Sequence, residues 1–407
     1  MTSHPSSAAG STERTSAGGG RRLAGMSRRA AREVGRLRLP ELVLFTCLIF
    51  EGSLFGIPLP FNQLVMIAII GLGAIRRTPL DGPWVRRLLP FMVVALFYIA
   101  LVSLFADPTA DALDWRRRLI RLSLTCVLIL VVAGGRIDLR SALTGLGIGL
   151  IGNAVLFYAG IAPDYYDGVL SGYFEDKNVA GLTYTVLGVL LISAVRGIGA
   201  RVVLTAVFGA LVWLTGSRTS ISAFAAGLVW LLVAARLPVA GRWVLGALIY
   251  VGVDIASEDF SQLGRFSDRE GSDLLRARID AASEIKVGQA GILGDGLGEA
   301  YVVFADDDSR KVWLFHNSYW SALVEGGWPW LVMILALTLV MGLRPLTGRL
   351  SRGELGAQAA TVALLICAWR LGEVLFTLQW AIVMGYALVV RSPEESPPVR
   401  SPSGARR

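Results

Sequence analysis

The sequence predicts an all-α, polytopic integral membrane protein, with about twelve transmembrane helices and one large extramembrane loop. Three observations carry that expectation. Over 407 residues, 54% are apolar and only 17% are charged, which leaves too little polar surface for a water-soluble chain of this size. Apolar runs recur at about the length needed to cross a ~30 Å hydrocarbon core. Between them stands a single long polar interval, from Ala256 to Trp320.

Residues 1–39 are rich in Ser, Gly, Ala and Arg and show no apolar periodicity, so they read as a disordered, basic tail. The pairs Arg21-Arg22 and Arg28-Arg29 are followed by no small-residue cleavage site, and an export signal is not expected. A helical domain then covers residues 40–390 and includes the loop 256–318. Its spans are expected near 41–56, 60–75, 88–105, 119–134, 142–161, 179–195, 201–216, 219–235, 238–254, 320–343, 355–372 and 374–390. Residues 391–407 form a second tail.

Arginine placement orients the set. Arg76, Arg77, Arg86, Arg87, Arg136, Arg140, Arg196, Arg201, Arg236, Arg242, Arg344, Arg349 and Arg352 all fall on the side of the N-terminal tail, and the C-terminal tail joins them. Both termini are therefore expected in the cytoplasm, with the long loop outside. Arg116–Arg118 and the bases of the loop itself are the exceptions. Within the spans, Gly145-x-x-x-Gly149 fits close helix packing. Charged residues there are few: Glu51 and an Arg370/Glu373 pair.

The net charge of +8 does not imply nucleic acid, because the bases are scattered between apolar runs rather than gathered on one face. Cys47, Cys126 and Cys367 each lie in an apolar run without metal-type spacing, and read as packing residues rather than a disulfide framework. No metal-binding cluster or cofactor motif is visible. The run Gly294-Asp-Gly296-Leu-Gly298 lacks the G-x-G-x-x-G spacing of a dinucleotide loop and reads as a tight turn. Asp306–Asp308 read as solvated.

Four features on the outward side need a reason. Lys177 and Asn178 stand where a loop enters a span, and either cap and snorkel there or line a site. Arg218, in Gly216-Ser217-Arg218-Thr219, joins two apolar runs with almost no loop. An arginine in hydrocarbon costs at least ~2.5–3.5 kcal/mol, so Arg218 either snorkels to the interface or faces a cavity. Arg276 and Arg278 lie in the long loop, and His316-Asn317 closes it, ahead of Glu325-Gly326-Gly327. Arginines are fork-shaped permanent cations suited to phosphate oxygens, and a histidine can take a proton from an alcohol near neutral pH. The set suits a phosphate-bearing lipid meeting a hydroxyl-bearing acceptor.

Over roughly residues 140–345 these residues resemble the O-antigen ligase and polysaccharide polymerase superfamily, especially its exopolysaccharide-polymerase branch. The resemblance rests on Gly172-x-Phe174-x-x-Lys177-Asn178, Ser217-Arg218-Thr219, the loop arginine (Arg276, or Arg278 in the alternative register) and His316-Asn317 leading to Glu325-Gly326. One departure is Asp280, standing where an aromatic is usual a turn after that arginine. The resemblance implies a bacterial inner-membrane glycosyltransferase that uses an undecaprenyl-diphosphate-linked glycan as donor and a glycan, lipid or protein as acceptor, without metal or cofactor. It implies that Arg218 and Arg276 hold the diphosphate, that His316 activates the acceptor, and that Lys177, Asn178, Arg278, Asn317 and Glu325 line the substrate site. The sequence leaves polymerase and ligase (to lipid A core or protein) unseparated. A flippase or other transporter is the alternative from another class, although inverted repeats and broken spans in both halves are not apparent.

Overall fold

A computed structural model describes residues 37–52, 59–76, 83–259, 270–306 and 309–391. Nearly all of the expected disordered tail 1–39 and of the tail 391–407 lies outside the described residues, as do Arg77, Arg265, Arg269, Asp307 and Asp308. The helices are α1 Leu39–Cys47, α2 Phe61–Ile75, α3 Pro83–Phe105, α4 Trp115–Ala133, α5 Leu139–Tyr158, α6 Lys177–Ala194, α7 Ile198–Leu214, α8 Arg218–Val233 and α9 Val239–Asp259. They continue with α10 Glu270–Gln289, α11 Ser318–Thr338, α12 Arg352–Arg370 and α13 Leu378–Val389. A helix stands at each segment expected from the apolar runs. Five stretches, Arg86–Phe105, Leu139–Tyr158, Lys177–Ala194, Arg218–Arg236 and Ser318–Leu343, are long and apolar enough to cross a membrane.

The all-α expectation needs one correction. Between α10 and α11 the chain forms an antiparallel hairpin, β1 Tyr301–Asp306 and β2 Ser309–Leu314, with Tyr301 opposite Leu314. The residues Tyr-Val-Val-Phe and Val-Trp-Leu favour a pleated surface, where β-branched and aromatic side chains pack well. The first expected segment, 41–56, also stops short as a helix. α1 ends at Cys47, and the Glu51 N–H donates instead to the Tyr173 carbonyl at 3.1 Å. The last is preceded by a non-helical stretch in which Phe376 has φ 61°.

The bundle has a clear inside. α6 and α12 are buried around most of their circumference, and α13 is buried along nearly its whole length. Small residues make this possible: Ala357, Ala359, Ala360, Ala363 and Ala368 let α12 approach α6 and α8 closely. α3 lies at the edge. Met92, Ala95 and Ile99 face inward, while Phe91, Val93, Val94, Phe97, Leu104 and Phe105 are exposed along the helix. An uncovered apolar surface of that extent is stable only against lipid or a partner.

α1 packs directly on the Gly145/Gly149 stripe of α5. A β-carbon at Gly145 would press into the Leu42 carbonyl oxygen, and one at Gly149 would stand 2.6 Å from that of Thr46. The close approach also lets the Thr46 hydroxyl donate to the Gly145 carbonyl at 3.1 Å. Gly145→Val is expected to destabilise the protein by about 1–3 kcal/mol through overpacking against backbone, read as a lowered melting temperature in detergent, whereas Gly147→Val, with the nearest atom 3.8 Å away, should change little.

Candidate functional site

The site is assembled from three groups of residues at the end of the bundle where α6, α8 and α11 begin. The first group is a pair of adjacent helix N-termini. Asp176 caps α6, its carboxylate accepting from the Asn178 and Val179 N–H groups at 2.7 and 3.0 Å and from the Tyr166 hydroxyl at 2.8 Å. Burial and that bond to Asp176 push the Tyr166 phenol up to about 12, so it remains a donor at neutral pH. The Lys177 ammonium lies 5.0 Å from the centre of the Tyr166 ring. Ser217 caps α8, which places Arg218 at its first position. Gly181 brings the two ends together, because a β-carbon there would collide with the Ser220 hydroxyl. Lys177, Asn178 and Arg218 thus share one corner, where two helix dipoles present their positive ends.

The second group surrounds His316. α10 is held onto the hairpin and α11 by a small satellite core of Ile279, Ala300, Val302, Phe315 and Val324. This core sets the rotation of α10. Arg276 and Asp280 are four residues apart and share a helix face, and Asp280 Oδ1 lies 3.6 Å from His316 Nδ1. Arg278 points elsewhere, its guanidinium stacking 4.3 Å from the centre of the Phe304 ring on β1. Of the two alternatives for the loop arginine, Arg276 is the one that shares a helix face with Asp280. Asn317 acts on its own helix end: it caps α11, its side-chain oxygen accepting from the Tyr319 and Trp320 N–H groups at 2.9 and 3.3 Å.

The third group is a buried charge cluster that was not expected. Arg118 of α4 donates to Glu325 Oε2 at 2.9 Å and also bonds the Glu373 carboxylate, while Arg121 lies 3.2 Å from Glu373. Burial alone would push the Glu373 carboxyl up, but the two arginines outweigh it and hold it below the usual carboxylate range. The other Glu325 oxygen accepts the Gly298 N–H at 3.0 Å. Both oxygens of Glu325 are therefore engaged within the protein. Arg370, close to Glu373 in sequence, donates to Asp254 at 3.0 Å. The signal for Arg118 was present in the sequence, as the Arg116–Arg118 run on the base-poor side.

Glu325 also marks a break in α11. Gly327 has φ 65° and ψ −167°, and Pro329 offers no N–H to the carbonyl four residues before it. The freed backbone groups are taken up by the glycine run. Asp295 and Gly296 donate to the carbonyls of Val324 and Glu325 at 2.7 and 3.0 Å, the Trp328 N–H donates to Ile292 at 3.1 Å, and the Tyr98 hydroxyl donates to Gly326 at 2.9 Å. Gly294, Gly296 and Gly298 all have positive φ, which puts their N–H groups within reach. The tight turn is thus also a dock for a broken helix.

A cavity of about 380 Å³ lies among these groups. On one side it is walled by Glu175 and Val179, which flank Lys177 and Asn178; on the other by Ser318 and Ser321, which follow His316 and Asn317. Arg118, Arg121, Glu51 and Glu373 give it a charged lining unusual for an apolar bundle. Of the predicted site residues, Glu325 reaches this lining, as do Glu51 and Glu373, noted from sequence only as charges in or beside the spans. Lys177, Asn178 and Asn317 are set beside it, Arg218 lies behind them on α8, and Arg276, Arg278 and His316 belong to the α10 side. Among the described residues, no group of three or more His, Cys, Asp or Glu could hold a metal ion. No family model matches the chain, and no curated protein matches it in sequence.

Proposed function

We propose that the protein is a membrane glycosyltransferase that polymerises or ligates glycan from an undecaprenyl-diphosphate donor onto an acceptor hydroxyl. The observation that supports this reading is the polar cavity at one end of an apolar bundle, bordered by the start of α6 on one side and by the start of α11, which follows His316, on the other. On this reading the chain spans the bacterial inner membrane about twelve times, with both termini cytoplasmic and the α10–hairpin segment as a periplasmic loop. Short connections rich in arginine gather at the opposite end, as the positive-inside rule requires.

The chemistry follows from the residues. An acceptor hydroxyl attacks the anomeric carbon of the donor. The bond from that carbon to the diphosphate oxygen breaks, and its electron pair leaves with the diphosphate. The hydroxyl proton passes to His316. Arg218 and Arg276 neutralise charge gathering on the departing diphosphate, a good leaving group already, so the protein chiefly positions the partners and stabilises that charge. Lys177 and Asn178 add to the positive corner, and Arg278 and Asn317 keep the hairpin and the start of α11 in place.

The test is incubation of purified protein with a polyprenyl-diphosphate glycan and candidate acceptors, without added metal. Glycan transfer is expected from the parent, and Arg218→Ala and Arg276→Ala should each lower it by roughly 10²–10³-fold, the scale of losing one charge-stabilising donor. Undiminished transfer by both variants would remove the proposal. A deletion strain separates the two chemistries: lost chain length identifies a polymerase, and accumulated full-length lipid-linked glycan a ligase.

A further inference from the structure

We infer that Asp280 is the positioning partner of His316, its carboxylate accepting a hydrogen bond from Nδ1–H so that Nε2 is left to take the proton of the acceptor hydroxyl. The inference rests on the reading of His316 as the proton acceptor in glycan transfer. Its grounds are geometric. Asp280 Oδ1 stands 3.6 Å from His316 Nδ1, a few tenths of an ångström beyond hydrogen-bond range. That nitrogen is shielded from solvent and makes no hydrogen bond, although the ring as a whole is 29% exposed. The ring is therefore turned with one nitrogen inward, toward a carboxylate. Contacts between catalytic groups are often long without substrate and tighten when it binds.

The placement is built by packing. Ile279 and Phe315, the residues immediately before Asp280 and His316, are each 1% exposed and belong to the same satellite core. The two side chains are thus carried by neighbours that cannot shift independently. Ser283, one turn further along α10, is fully buried and bonds back to the Ile279 carbonyl at 2.7 Å, which steadies the same turn. A carboxylate on one imidazole nitrogen fixes the tautomer and stabilises the imidazolium formed when the other nitrogen is protonated. In the transfer step the new bond forms between the acceptor oxygen and the anomeric carbon, and the diphosphate departs with its electron pair. The proton ends on Nε2, while Nδ1 keeps its own proton, hydrogen-bonded to the Asp280 carboxylate. Release of the Nε2 proton to solvent resets the ring.

The chain has two histidines, His4 and His316, so His4→Gln leaves one imidazole to observe. In that background, ¹⁵N spectra of labelled full-length protein are expected to show Nδ1 protonated and Nε2 bare, and Asp280→Asn should mix the two tautomers. With a polyprenyl-diphosphate glycan as substrate, Asp280→Asn should lower kcat by about 10²-fold or more with little change in donor KM. Asp280→Glu, which restores a carboxylate, should recover much of the loss. Asp280→Ala serves as a second variant, since the side chain is 38% exposed and its removal is tolerable for folding. Unchanged tautomer and unchanged kcat in Asp280→Asn, beside an active parent and an inactive His316→Ala, would overturn the role of Asp280 and leave the transferase reading standing. An inactive parent, or a fully active His316→Ala, would instead overturn the transferase reading on which the role depends.

Discussion

His316→Ala is expected to abolish glycan transfer while leaving the protein folded and inserted. A positioned general base contributes about 10²–10⁴-fold to rate, and no second histidine stands among the described residues to replace it. The packing loss is small by comparison, because the ring is partly exposed and precedes α11 rather than forming part of it. Neighbouring Phe315 holds this turn in the satellite core and is unaffected. Extracted surface glycan from cells carrying the variant should therefore show no elongated or transferred product, at a protein level in the membrane equal to that of the parent. Normal polymer from such cells would sink the assignment.

Arg118→Ala should produce the largest loss of stability. The guanidinium satisfies two carboxylates at once, and the side chains of Arg118 and Glu325 are 12% and 4% exposed. Removing it leaves Glu325 without its cation, and Glu373 with Arg121 as its remaining close one. Deleting one partner of a buried ion pair typically costs about 3–5 kcal/mol, mostly through the charge left behind. Thermal unfolding in detergent would measure it. The double variant Arg118→Met, Glu325→Gln should recover part of the loss, since it removes the stranded charge as well as its partner. Equal melting of Arg118→Ala and the parent would show that the cluster is solvated and not structural.

Much of the helical framework was legible in the sequence because each helix other than α10 is written as an apolar run, and the Gly145/Gly149 stripe announced its own close contact. The hairpin was not, because Tyr301–Asp306 and Ser309–Leu314 are separated by acidic residues that read as solvent-exposed loop rather than as a turn between strands. Of the predicted site motifs, the local placement was legible: Lys177 and Asn178 open α6, Arg218 opens α8 and Asn317 caps α11. The Arg118 cluster was hidden for the opposite reason. Its partners Glu325 and Glu373 lie 207 and 255 residues away, and no local pattern records such a pairing. Nothing in the local sequence pairs Asp280 with His316, 36 residues on; their approach to 3.6 Å depends on the packing of Ile279 and Phe315 in one satellite core.

The bend in α11 bears on how a substrate could get in. The glycine run and the broken helix exchange main-chain hydrogen bonds that neither can find elsewhere, and leaving a buried donor or acceptor unmet costs about 1–3 kcal/mol each. Separating the two would strand at least the Val324 and Glu325 carbonyls and the Trp328 N–H together. That seam is in effect a weld. Any route into the cavity that parted the glycine run from α11 would carry that cost at each of those groups together.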